Sequence, residues 1–168
     1  PEVSIMACKF LTASGSGSIS DALVCLDYAV GMGVPISSNS WGGGGFDPVF
    51  ETALDNAGLA GHLFIAAAGN DARDNDVTPS YPASYIPPTM DAVMSIASVA
   101  ENDMLSSFSQ WGSTSVDLAA PGSNINSCAA SVIGGGYTSI SGTSMATPHV
   151  AGAAALLLAY NPAVTNLQ

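Results

Sequence analysis

The sequence is poor in positive charge. Lys and Arg total 2, Lys9 and Arg73, against 13 Asp and Glu, for a net charge of −11. A phosphate backbone is bound by neutralising it with cations, so nucleic-acid binding is not expected. An anionic membrane surface is disfavoured for the same reason. Long apolar runs are missing as well. The longest candidate, Ala151 to Tyr160, is interrupted by Gly152 and falls short of the roughly 18 residues of a membrane span. At the start, Pro1-Glu2-Val3-Ser4-Ile5 has no basic region ahead of an apolar stretch, so no secretory leader is read there. The first residue is not Met, and the chain is expected to be an interior piece of a longer one. The 3 cysteines, Cys8, Cys25 and Cys128, cannot all pair with one another and match no zinc spacing. They read as small buried residues. A Cys8–Cys25 bridge is the disfavoured alternative, because a strand and its following helix seldom bring such positions close enough. The glycine runs at 42–45 and 134–136 have neither a dinucleotide fingerprint nor a P-loop spacing, and no Lys follows them.

What remains is a chain that buries a core. Of 168 residues, 48% are hydrophobic and 9% charged, which fits one folded domain. Val3 to Cys8 reads as a short apolar strand. Ser20 is the expected cap of a first helix, with Asp21 in its first turn and Ala22, Cys25, Leu26, Ala29 and Val30 on one face. Gly31, Gly33 and Pro35 stop it. Ile36 to Ser40 is the next strand. Asp47 caps a second helix with Pro48 at its first position, and Phe50, Ala53, Leu54 and Ala57 form its buried face. Leu63 to Ala68 is a continuous apolar run, as in a parallel strand covered on both faces. The order strand, helix, strand, helix, strand predicts a doubly wound α/β pattern. A long proline-rich loop follows, of the kind that is usually functional. Val93 to Val99, Val116 to Ala120 and Tyr137 to Ile140 are further strands, and a last helix runs from about Thr143 to Tyr160.

In open α/β sheets ligands bind at the carboxyl ends of the strands. Three segments place unusual residues there: Ser40-Trp41-Gly42-Gly43, Ala67-Ala68-Gly69-Asn70, and Gly142-Thr143-Ser144-Met145-Ala146. A Ser144 hydroxyl in the first turn of a helix sits among unsatisfied N–H groups, whose field favours a developing oxyanion. On these residues alone, Thr143 or Ser144 serves equally well as a plain helix cap. The Asn70 amide is either an oxyanion donor or a turn residue.

The eleven residues Gly142-Thr143-Ser144-Met145-Ala146-Thr147-Pro148-His149-Val150-Ala151-Gly152 resemble the serine-containing signature of the subtilisin-like serine peptidases, the subtilases. Asn39-Ser40-Trp41-Gly42-Gly43, Ala66-Ala67-Ala68-Gly69-Asn70 and Asp117-Leu118-Ala119-Ala120-Pro121-Gly122 resemble further segments of that family, in the right order. The resemblance implies a three-layer α/β fold with a mostly parallel sheet and flanking helices, incomplete in this chain. It implies a serine endopeptidase with Ser144 as nucleophile and Asn70 as side-chain donor of the oxyanion hole. Ser40, Trp41 and Gly42 would pair with a peptide substrate as an added strand. Ala67, Ala68 and Gly69 would form a wall of the specificity pocket. It further implies a peptide or protein substrate, a secreted or vesicular location and an inhibitory pro-segment.

A serine nucleophile needs a base, and the base an orienting carboxylate. Family members carry them upstream of the serine, near Asp-Thr-Gly and His-Gly-Thr motifs, and neither motif occurs here. His149 lies five residues beyond Ser144 on one helix and points about 140° away. His62 precedes the third strand, roughly 20 Å from the end that carries Asn70. No catalytic His or Asp is assigned within the chain. It is expected to be a single partial catalytic domain, unstable or inactive alone. No cofactor is required. The run Asp71-Ala72-Arg73-Asp74-Asn75-Asp76 is a solvated acidic loop or, alternatively, a site for a structural calcium ion, to which Asp117 would contribute in some members. The acidic loop would favour basic substrates through its field, whereas Trp41 and Tyr81 would favour aromatic ones. The competing reading of the whole is a non-catalytic member whose cleft binds peptides.

Overall fold

The computed structural model describes residues 3–129 and 134–166. Its elements are α1 (Ile19–Gly31), β1 (Ile36–Asn39), α2 (Pro48–Leu59), β2 (Leu63–Ala67), β3 (Val93–Val99), β4 (Leu118–Pro121), β5 (Ile125–Cys128), β6 (Tyr137–Ile140) and α3 (Thr143–Tyr160). Strands β1 to β4 form one parallel sheet in sequence order, with Ile36 opposite Leu63, Phe64 opposite Val93 and Ile96 opposite Leu118. An antiparallel pair, β5 and β6, stands apart from it.

Alternation along β2 sorts the core into two layers. Phe64 and Ala66 join Ala22 and Leu26 of α1 and Phe50, Leu54 and Ala57 of α2. Ile65 faces the other way, to Ile96, Ala120 and Ala146, with Val150 and Ala154 of α3 packed alongside. The sheet is therefore covered by α1 and α2 on one face and by α3 on the other. This is the expected three-layer α/β arrangement.

Caps set the helix starts. Asp47 accepts from the N–H groups of Val49 and Phe50 and Pro48 is the first helical residue, as the sequence predicts for α2. In α1 the cap is Ser18, not Ser20. Its Oγ accepts from the Asp21 N–H and donates to the Asp21 carboxylate, a reciprocal pair that starts the helix at Ile19. The expected buried face is drawn back to Ala22 and Leu26.

Two further expectations are corrected. Val3 to Cys8 forms no strand. Among the described residues no strand lies beside it to complete a ladder, and Ile5 is 93% exposed. The cysteines are not all small buried residues. Cys8 and Cys25 form a disulfide with Cα atoms 5.9 Å apart, and Cys128 is free and exposed. The objection to that bridge assumed a strand at 3–8. The chain instead turns at Thr12–Ser16, and Gly17 lies against Phe10, which brings residue 8 back to the side of α1. Strand β5 was not foreseen. Its sequence, Ile-Asn-Ser-Cys, lacks an apolar run, and its pairing partner is β6.

Candidate active site

Asn39 ends β1, Ala67 ends β2, and Thr143 begins α3. Their continuations meet at the carboxyl edge of the sheet. The Thr143 hydroxyl accepts the Gly69 N–H at 3.2 Å and donates to Asn70 Oδ1 at 2.9 Å. The Thr143 backbone N–H donates to the same Oδ1 at 2.9 Å. A backbone N–H only donates, so the Asn70 oxygen must face Thr143, and its Nδ2 is directed away from α3's first peptide. Gly142 is the N-cap of α3 and supplies no side chain, so the Asn70 carboxamide caps the helix from another element. Thr143 is fully buried, and its carbonyl accepts from the Thr147 hydroxyl.

Ser144 follows at the second helical position and is only partly covered. Its hydroxyl reaches the Ser40 carbonyl at 3.5 Å, the limit of a hydrogen bond. The Ser40 hydroxyl, in turn, donates to the Ser144 carbonyl at 2.8 Å. Segment 40–43 is thus tied to the helix start on one side. On the other, the Gly43 N–H donates to the Tyr81 carbonyl at 3.2 Å. Trp41 is held by its indole N–H on Asn39 Oδ1 and by edge contacts with Phe10 and Phe50.

These residues enclose a cavity of about 360 Å³, walled by Trp41, Gly42, Ala67, Gly69, Asn70 and Ser144. Ser40 lines it too, with Asp71, Arg73 and Tyr81. Ala68 is fully buried behind the wall, its N–H on the Ile96 carbonyl and its own carbonyl accepting from Asn75. A second cavity, about 390 Å³, opens at the amino edge of the sheet between Ile36, Met94 and Leu157, and no serine, cysteine or histidine lines it. The cavity lined by Ser40 and Ser144 is therefore the smaller of these two.

Neither histidine is hydrogen-bonded to Ser144. His62 is buried just before β2, with Nδ1 donating to the Val34 carbonyl at 2.7 Å and Nε2 accepting from the Ser37 hydroxyl at 2.8 Å. Burial pushes its pKa down and keeps it neutral. His149 donates from Nδ1 to the Met145 carbonyl, one turn back on α3.

The acidic loop does not converge on a cation. Asp71 pairs with Arg73 at 3.5 Å, and Asp74 accepts the Asp76 N–H. Asp76 accepts from the hydroxyl and backbone groups of Ser115, Ser113 and Thr114, which hold its carboxyl far below the usual range. Asp117 accepts the Ser95 N–H. Among the described residues no three acidic, His or Cys side chains stand together as metal ligands.

Sequence reasoning missed the part of Thr143 as holder of Asn70, and missed Gln110 in the cavity wall and Asn75 behind it. Each acts on a partner from another loop, so no local spacing announces it.

A carboxamide anchored by its oxygen and a hydroxyl in the first turn of a helix, both lining one cavity, are groups able to stabilise an anion. Comparison with known proteins shows the family. Residues 1–168 match the Subtilase family, peptidase S8. The chain is 38% identical over 168 residues to the thermostable alkaline protease of Halalkalibacterium halodurans, covering 100% of this chain and 43% of that one. It is 39% identical over 168 residues to Subtilisin Savinase of Lederbergia lenta, with 100% of this chain and 58% of the relative covered. The crystal structure of a cold adapted subtilisin-like serine proteinase superposes with a TM-score of 0.81 at 39% identity, over 95% of this chain and 55% of the other. The chain thus spans about half the length of the relatives it matches. On its sequence, its parallel α/β sheet and the residues gathered at the strand ends, the chain belongs to the subtilase family.

Proposed function

We propose that the protein carrying this chain is a serine endopeptidase. Ser144 Oγ attacks the carbonyl carbon of the scissile peptide. The oxyanion that forms is stabilised by Asn70 Nδ2–H and by the Ser144 backbone N–H. Residues 40–42 receive the substrate backbone as an added strand, while Ala67 and Gly69 leave room for a side chain in the cavity. The His that takes the Ser144 proton, and the Asp that orients it, come from outside these 168 residues. The substrate is a peptide or protein. An inhibitory pro-segment and a secreted or vesicular location belong to the same reading, and the Cys8–Cys25 disulfide fits an oxidising compartment.

The observation that carries the reading is the orientation of Asn70. Two donors from Thr143 fix its oxygen, so its N–H groups are left for an anion beside Ser144. A plain turn residue has no need of such an anchor.

The test is peptide hydrolysis by the full-length protein. Ser144→Ala removes turnover on the order of 10⁶-fold, the scale known for the nucleophile of a subtilisin. Asn70→Ala lowers kcat about 10²–10³-fold with KM little changed, as for the equivalent donor of a subtilisin. A full-length protein that binds peptides but never cleaves them, with Ser144→Ala binding equally well, overturns the proposal in favour of the peptide-binding reading.

A further inference from the structure

Two buried carboxamides form a relay at the cavity wall, Gln110 lining the cavity and Asn75 lying behind it. Asn75 and Gln110 are each 1% exposed. Asn75 Nδ2 donates to the Ala68 carbonyl at 3.0 Å, and Gln110 Nε2 donates to Asn75 Oδ1 at 2.6 Å. A carbonyl only accepts, so the Asn75 nitrogen must face Ala68 and its oxygen must face the Gln110 nitrogen. Both amides have one allowed orientation. The Gln110 backbone N–H donates to the Gly69 carbonyl at 2.9 Å, and the Asn75 N–H to the Trp111 carbonyl at 2.7 Å. Gly69 has φ +114, and a Cβ there would overlap Gln110 Oε1.

We infer that Asn75 and Gln110 are positioning residues for the oxyanion donor Asn70. This rests on the peptidase reading above. The two peptide carbonyls before Asn70 are both held: that of Ala68 by the Asn75 side chain, which the Gln110 side chain orients, and that of Gly69 by the Gln110 backbone N–H. The Gly69 N–H is held in front by Thr143. Glycine at positive φ has other backbone conformations open to it at little cost, so the segment needs these contacts to stay in one. Without the relay, Gly69 rotates and carries the Asn70 carboxamide off the oxyanion. A displacement of about 1 Å at a reacting centre costs up to roughly 100-fold in rate. The bulk of Gln110 also explains the glycine at 69: the side chain lies flat across its Cα.

The experiment is a double-mutant cycle in the full-length protein, with kcat expressed per active site titrated by a fluorophosphonate, so that unfolded protein does not count. Gln110→Met keeps the length of the side chain and removes its donor. It is expected to lower kcat about 10–100-fold and change KM by less than about twofold. On an Asn70→Ala background, where there is no donor left to misplace, the same change is expected to cost less than about twofold. Asn75→Ser, which breaks the same relay with a smaller side chain, gives the same pattern if Gln110→Met does not accumulate as folded protein. The inference is overturned if kcat per active site is unchanged, or if the loss multiplies in full onto that of Asn70→Ala. If Asn70→Ala itself keeps wild-type kcat, the oxyanion assignment falls and takes the positioning role with it. If Asn70→Ala is slow and the relay variants are fast, the positioning role alone falls.

Discussion

One hydroxyl at Thr143 joins three segments of the chain. It accepts from Gly69, donates to Asn70, and sits on the first turn of the helix that carries Ser144. Thr143→Val keeps the shape and removes the bridge. The Gly69 N–H then lacks its acceptor at a half-buried position, which costs about 1 kcal/mol of stability. The full-length variant is expected to unfold at lower denaturant and to lose about tenfold in kcat, since Asn70 keeps one of its two anchors. Ser144 and Asn70 were singled out by the resemblance of their segments to the family, since a helix start and a strand end taken alone also read as a plain cap and a turn residue. Thr143, Asn75 and Gln110 were not, because the partner of each lies in a distant loop: Thr143 and Asn70 are 73 residues apart, and Gln110 and Asn75 are 35 apart. His62 supplies a pH test at the same scale. Burial lowers its folded pKa below the ordinary 6.5. The unfolded chain therefore binds a proton that the folded one refuses. Stability from this source is full above about pH 6.5 and is lost as pH falls through the lower folded value. Urea midpoints are expected to drop between pH 7.5 and pH 5 in the wild type, and His62→Gln is expected to remove that part of the slope.

At the scale of elements, caps and aromatic packing do most of the work. Asp47 Oδ1 accepts two N–H groups at the start of α2. Asp47→Ala is expected to cost about 1–2 kcal/mol by chemical denaturation. The consequence reaches the site, because α2 presents Phe50 to Trp41, and Trp41 borders the cavity. The bounds of α2, β3 and α3 could be read from sequence because each carries its own signal: Asp47-Pro48, the run from Val93 to Val99, and the glycine before Thr143. The start of α1 was misread because two serines compete. Ser18 wins since Asp21 stands three residues on, where the Ser18 hydroxyl accepts the Asp21 N–H and donates to the Asp21 carboxylate. Val3–Cys8 shows the limit of apolar runs as a signal. A strand also needs a neighbour, and this one has none among the described residues.

At the scale of the molecule, the sheet brings three separated segments to one edge, and neither histidine joins them. Near its end α3 leaves Leu156, Leu157 and Tyr160 exposed, and Leu157 borders the cavity at the amino edge of the sheet. The isolated 168-residue chain is accordingly expected to show no Ser144-dependent cleavage. The full-length protein is expected to show it, on the proposal that the base comes from outside these residues. The most direct test of the whole account is covalent labelling of the full-length protein with a fluorophosphonate, mapped by peptide mass spectrometry. The account predicts one adduct, on Ser144, absent from Ser144→Ala and much slowed in Asn70→Ala. Folded full-length protein that takes no label, or takes it on another residue, contradicts it.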